Sequence, residues 1–146
     1  MPALQATAAL GLTTRFEVDI DGFPLGGWAK CDGLAVQFDL YDYKPLGHND
    51  YLPILPNRLK YDHIKLMRAI TKEDAPTVMK WLSKMAGQGA GSTAEITLLD
   101  SHKQKVTSWK LQGVYPVKWT GPTFDAGSHN IATESLELAH QGFLDV

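Results

Sequence analysis

A chain of 146 residues, 44% hydrophobic and 21% charged, has ordinary globular composition, which excludes wholesale disorder and fits one domain. At that length roughly 70% of the unfolded surface is buried on folding, so a core forms without metal or disulfide support. A net charge of -2, with Lys and Arg scattered, supplies no basic field for nucleic acid, and the only cysteine, Cys31, excludes an internal disulfide or a CxxC pair and suits a reducing compartment.

The opening, "MPALQATAALGLTTR", lacks both a basic n-region and a sustained apolar run, and no later stretch approaches the roughly eighteen apolar residues of a membrane span. The expectation is a chain made and assembled in the cytoplasm without a signal peptide and without stable membrane insertion. Residues 1–14 are small and weakly patterned. They are expected to form a flexible arm that orders only against a neighbour, ahead of a single domain over 15–146.

From Arg15 the sequence alternates. Phe16, Val18 and Ile20 oppose Arg15, Glu17 and Asp19, the period of a half-buried strand, and "DG" at Asp21 and Gly22 ends it. The glycine-rich segment "IDGFPLGGWAKCDGL" sets Trp28 and Cys31 among Gly22, Gly26, Gly27 and Gly33, and is either the seat of a reactive thiol or the first turn of a β protein. A second strand follows at Val36, Phe38 and Leu40, extended by Tyr43 and expected to pair with the first. Lys44 to Arg58 holds three prolines and no clear period, a long connection for so small a domain.

Leu59 to Arg68 regains β character, imperfect around His63. Thr71 to Asp74 fits the [ST]-x-x-[DE] capping pattern, and Val78, Leu82 and Met85 recur at helical spacing beside Met79 and Trp81 until "GQGAG" stops the run. Ala94–Leu99 and Val106–Gln112 flank the turn "DSHKQK" as a hairpin, which Val114–Trp119 continues after a bend at Gly113. In the last strand Ala132, Glu134, Leu136, Leu138 and His140 alternate with Ile131, Thr133, Ser135, Glu137 and Ala139, which gives a mixed face. Six or seven strands and one helix predict a mainly β (α+β) fold, an antiparallel barrel or sandwich with a flanking helix. Its edges must be hidden, and an open sheet invites pairing with another subunit.

Residues with chemical potential mostly fall to simpler readings. Cys31 would need a histidine to lower its pKa, and five histidines exist (His48, His63, His102, His129, His140), yet no Cys-His-Asn constellation appears. Free cysteine most often packs as a small hydrophobe. "HND" at His48 to Asp50 lacks metal-site spacing, and "GQGAG" closes a helix where a phosphate loop would open one. Asp19, Asp21, Asp39 and Asp42 read as a solvated β face, and Trp81 as core. Catalytic, cofactor and metal sites are therefore all assigned as none.

"FEVDIDG", "CDGL", "LKYDHIKLMRAIT", "VMKWL", "AEITLLD", "WKLQGVYPVKWTGP" and "ATESLELAHQGF", in that order from about Arg15 to Phe143, closely resemble the tail tube family of contractile-tailed phages and phage-tail-like injection particles, with related domains in type VI secretion tubes. The resemblance implies hexameric rings stacked into a hollow tube inside a contractile sheath, attached to a baseplate and spike, with cargo in the lumen. It implies a particle that is released from the cell, and no catalytic residue. Trp28 then anchors a connection and Cys31 is a packed side chain.

A ring needs one surface of each copy to meet a different surface of the next. Stacking needs a further surface, assigned to the Lys44–Arg58 connection and within it to Lys44, Pro45, Leu46, Asn49, Tyr51, Leu52, Leu55 and Arg58. The family's common tube form carries a glycine- and asparagine-containing stretch where this chain has "YKPLGHNDYLPILP", while "KCDGL" and "VYPVKWTGP" are similar to a divergent subgroup read as the tube's first ring. Bulk tube subunit and tube initiator at the baseplate both stay open. The rivals from other classes are a small hydrolase using Cys31 or a Ser-His pair, and a monomeric binding module.

Overall fold

The computed structural model describes Gly11 and residues 16–42, 54–87 and 91–144. Strand β1 (Phe16–Ile20) buries Val18 and Ile20 and exposes Glu17, as its alternation predicts. Asp21 and Gly22 both take positive φ, 51° and 78°, the twist that matches paired strands, and the chain reverses at once into β2 (Phe23–Gly27). Then come β3 (Lys30–Asp32), β4 (Val36–Asp42), β5 (Ile54–Tyr61), β6 (Ile64–Ala69), helix α1 (Ala75–Met85), β7 (Ser92–Leu99), β8 (Lys105–Thr120), β9 (Thr133–Ala139) and β10 (Phe143–Leu144). The fold is mainly β and antiparallel, with one flanking helix among the described residues.

Several expectations are corrected. The glycine-rich segment, expected as a first turn, holds two further strands, which with β10 bring the strand number to ten among the described residues. β4 does not pair with β1; it pairs with β5, while β1 takes β2 and β7. The immediate Asp-Gly reversal is the cause, because it fills one side of β1 before the chain reaches Val36. Pro24 is tolerated because β2 is an edge strand. The connection after β4 ends at Ile54 and not after Arg58, and Pro56 fits opposite Leu40, where the ladder register shifts between Asp39 and Leu40. The Leu59–Arg68 segment is split at Asp62 and His63 into the end of β5 and all of β6.

The larger sheet has eight strands, with the order β2-β1-β7-β8-β9-β6-β3 and β10 beside β8. β8 serves both halves: Lys105 to Val114 pairs with β7, and Tyr115 to Thr120 with β9. The changeover falls just past Gly113, φ 60°, the bend read from the sequence. Trp28 and Ala29 alone separate β2 from β3, so the two ends of the sheet lie within about 11 Å and the sheet must curl into a barrel-like wall. Ala29 N donates to Met67 O at 2.9 Å across that junction.

Inside the wall Val18, Ile20, Leu25, Ile64, Leu66, Leu111, Val114, Leu136 and Leu138 are buried. α1 closes it through Val78, Trp81 and Met85, packing on β2 and β8, while Leu82 is partly buried and Met79 is exposed. Thr71 Oγ1 accepts from Asp74 N at 3.2 Å, so the predicted capping residue acts in the turn just before the helix.

β4 and β5 form a separate two-stranded ladder. It is rooted on the β3–β6 pair: residues 33–35 lead from β3 into β4, residues 62–63 lead from β5 into β6, and Asp62 N donates to Ala35 O at 3.4 Å. At this root Gly33 has φ 102°, and a Cβ there would sit 1.9 Å from the backbone oxygen of His63. Gly22, φ 78°, has nothing within 4 Å of its Cβ direction. Gly22→Ala is therefore expected to cost the left-handed strain alone, about 1–2 kcal/mol, and Gly33→Ala clearly more. Thermal melts of the two variants check this, and equal losses would contradict the root geometry.

Candidate assembly surfaces

The β4–β5 ladder has one apolar and one polar face. Val36, Phe38, Leu40 and Leu59 are 40%, 61%, 57% and 47% exposed, with Phe38 directly opposite Leu59. On the other face Gln37 stands opposite Lys60 and Asp39 opposite Arg58. A lone two-stranded ribbon is marginal in water, and an uncovered stripe of large apolar side chains marks an interaction surface.

A buried polar centre ties the wall together toward the other end of β6 from the ribbon. Arg68, 3% exposed, projects from β6, and its Nε donates to Glu134 Oε1 of β9 at 2.7 Å. Nη1 donates to Leu25 O, and Nη2 donates to Asp74 O at 3.1 Å beside the start of α1. The guanidinium carbon lies 4.0 Å from the Trp28 ring centroid. Glu134 Oε2 accepts from Trp119 Nε1 of β8 at 3.1 Å. One guanidinium thus ties β6, β9, β2 and the helix start together, over the indole that anchors the junction as expected. The sequence reading missed this centre, although its signal was present: Glu134 sits in the register of Leu136 and Leu138, and Arg68 in that of Ile64 and Leu66.

Cys31 is half-buried on β3 and packs against the core. Burial, helped by the Asp32 carboxylate, pushes its thiol up to about 11, away from what a nucleophile needs. Iodoacetamide at neutral pH is expected to alkylate it roughly a hundredfold more slowly than a free peptide thiol, and unfolding in denaturant to restore the peptide rate. His140 is ringed by Tyr61 and Phe143, its Nδ1 accepts from Gly142 N at 3.2 Å, and burial holds its pKa below the ordinary imidazole value. His63 Nδ1 lies 3.2 Å from Glu137 Oε2 at the surface. His102 and His129 are exposed, and among the described residues no three His, Cys, Asp or Glu side chains gather as a metal site.

Of the residues assigned to stacking, Leu55 and Arg58 are placed on β5, as ladder and not loop. Lys44, Pro45, Leu46, Asn49, Tyr51 and Leu52 lie outside the described residues, as do His48, Asp50 and residues 88–90 of the glycine run. Gly87, φ 90°, follows the helix as the stop read from the sequence.

The fold is thus an antiparallel, barrel-like wall with one helix among the described residues and a separate two-stranded ribbon. In fold the chain is similar to one in the cryo-EM structure of an extracellular contractile injection system, the PVC sheath–tube complex in its extended state: 18% identity and TM-score 0.80, covering 99% of this chain and 96% of that one. It is similar to a chain of the anti-feeding prophage baseplate, with 21% identity, TM-score 0.73 and coverage of 94% and 96%. Hcp1 from Flavobacterium johnsoniae is more distant, at 16% identity, TM-score 0.50 and coverage of 90% and 98%. Among curated proteins none matches the sequence. The chain belongs to the T4-like virus tail tube protein gp19 family, whose model matches residues 12–144.

Proposed function

We propose that this tail tube protein is a non-enzymatic subunit of the inner tube of a contractile phage tail or phage-tail-like injection particle, with 15–146 as its one structural domain. It stacks as hexameric rings into a hollow conduit, assembled in the cytoplasm without a signal peptide. Sheath, baseplate and spike proteins of the same particle are its partners, and cargo occupies the lumen. The observation that carries this reading is the uncovered apolar face of the β4–β5 ladder on a chain of the tail tube family. Such a surface suits assembly far better than it suits a solitary enzyme. Placement in the tube's first ring, at the baseplate, is the second reading, supported by the likeness to a baseplate chain.

Negative-stain microscopy of particles purified from cells expressing the whole gene set, with a label on this chain, tests both. Label along a hollow rod is the expected result, label only at one end selects the initiator, and a chain found only as monomer refutes the proposal. The connection between β4 and β5 is proposed to stack one ring on the next. Polar replacements across Leu52–Leu55 are expected to give soluble subunits that elongate poorly, and rods of normal length would count against that assignment.

A further inference from the structure

We infer, independently of the tube reading, that residues 1–10 of each chain seal the open mouth of that chain's own barrel, with Leu10 entering first. In place of an arm that waits for a neighbour, the segment is a plug that completes the subunit's own core.

The two ends of the wall differ. At the start of β7, Trp81 Nε1 of α1 donates to Ser92 Oγ, and Trp81 and Val78 are buried against the interior. Six residues further along β7, roughly 20 Å away, no residue of α1 lines the mouth. Leu98 there shares the inward face of Ala94 and Ile96. Phe16 stands opposite Leu98, in register with Val18 and Ile20, and Trp109 stands opposite Ile96. Val18, Ile20, Ala94 and Ile96 are buried, whereas Phe16, Leu98 and Trp109 are only half-buried and Leu34 is 38% exposed. With Cys31 of β3 these last four side chains line an apolar depression of about 400 Å³. Inward-facing apolar side chains left open in this way mark a surface that something covers.

Gly11 selects the occupant. Its backbone lies on Leu98, where an added Cβ would overlap Leu98 Cδ2, so the lack of a side chain is what lets the chain rest at the rim. Residue 10 is one Cα step, about 3.8 Å, from that contact, and ten residues extend at most about 35 Å, so the whole mouth is within their reach. Their sequence, "MPALQATAAL", has no charged side chain and sets Met1, Leu4 and Leu10 among four alanines. The mouth matches it: Lys30 is the one charged residue among the described ones that line it. An apolar segment tethered at the rim also has an effective concentration there that a separate molecule does not reach.

The test uses the full chain in two forms. Leu10→Cys beside the native Cys31 is treated with a short bismaleimide. The expected product is a bridge within one chain, seen as monomer on a denaturing gel and as one reagent spanning both cysteine peptides by mass. Leu10→Cys combined with Cys31→Ala should give no bridge, and its maleimide labelling should be at least tenfold slower in the folded chain than in urea, at every dilution of the subunit. A bridge between two chains, or protection that appears only when rods form, assigns the mouth to a neighbour's arm and overturns the inference. Labelling of the folded chain at the rate seen in urea, with no bridge, overturns it as well. Either failure leaves the tube reading standing, because that reading is decided by the position of label on the particles.

Discussion

Arg68→Ala is expected to lower folding stability by about 3–5 kcal/mol, because it leaves the Glu134 carboxylate buried without its counter-charge. The same substitution strips a donor from Leu25 O and Asp74 O and a cation from the face of Trp28, so the loss spreads to the β2–β3 junction and to the start of α1. Glu134→Ala is expected to be nearly as severe, since it strands the guanidinium and the Trp119 indole hydrogen together. Glu134→Gln keeps one acceptor and turns an NH2 donor toward the other partner, so it should cost less than Glu134→Ala but still leave one of the two donors unpaired. Urea unfolding of the three variants gives the ranking. The double variant Arg68→Met with Glu134→Leu should be less destabilised than the sum of the single changes, because no unpaired charge remains. A loss under about 1 kcal/mol for Arg68→Ala would mean that water reaches this pair and that the barrel closes without it.

Trp81→Ala is expected to cost a further large amount, about 3–5 kcal/mol, and to do so by loosening the helix from the wall. Trp81 is 1% exposed, and its Nε1 donates to Ser92 Oγ of β7 at 3.3 Å, while that hydroxyl donates to Met85 Sδ at 3.1 Å. Helix and sheet are thus joined by both packing and a short polar chain. Trp81→Phe preserves much of the ring volume but leaves Ser92 without its donor, so it should fall between wild type and Trp81→Ala. Hydrogen exchange is the discriminating measurement: amides of α1 should lose protection first in Trp81→Ala, ahead of those in β7 and β8. Uniform loss across helix and sheet would instead place the helix within one cooperative unit with the wall.

Legibility in the sequence followed the strength of each local signal. Strands with one buried face were read directly, as at Val18 and Ile20 or along the β7–β8 hairpin, because period-two alternation reports burial without help from the rest of the chain. The helix was equally plain. β2 was missed because Pro24, Gly26 and Gly27 look like turn residues, and only its edge position makes them acceptable in a strand. The β1–β4 pairing failed for a different reason: alternation fixes which face is buried but not which strand is the neighbour.

The candidate surfaces were half legible. Val36, Phe38 and Leu40 were seen to alternate, yet alternation alone assigns such a face to the subunit's own core, and its exposure emerges only once the ladder stands apart from the larger sheet. Arg68 and Glu134 stand 66 residues apart, and neither announces the other until β6 and β9 pair. The mixed face of the last strand was the trace they left.

Strand β8 runs unbroken through both halves of the wall, sixteen residues from Lys105 to Thr120. Twisting one half against the other therefore means deforming a continuous peptide as well as shearing rows of hydrogen bonds. A subunit built this way answers torque as a stiff solid. Stress that enters one half of the wall is carried into the other along a single covalent spine.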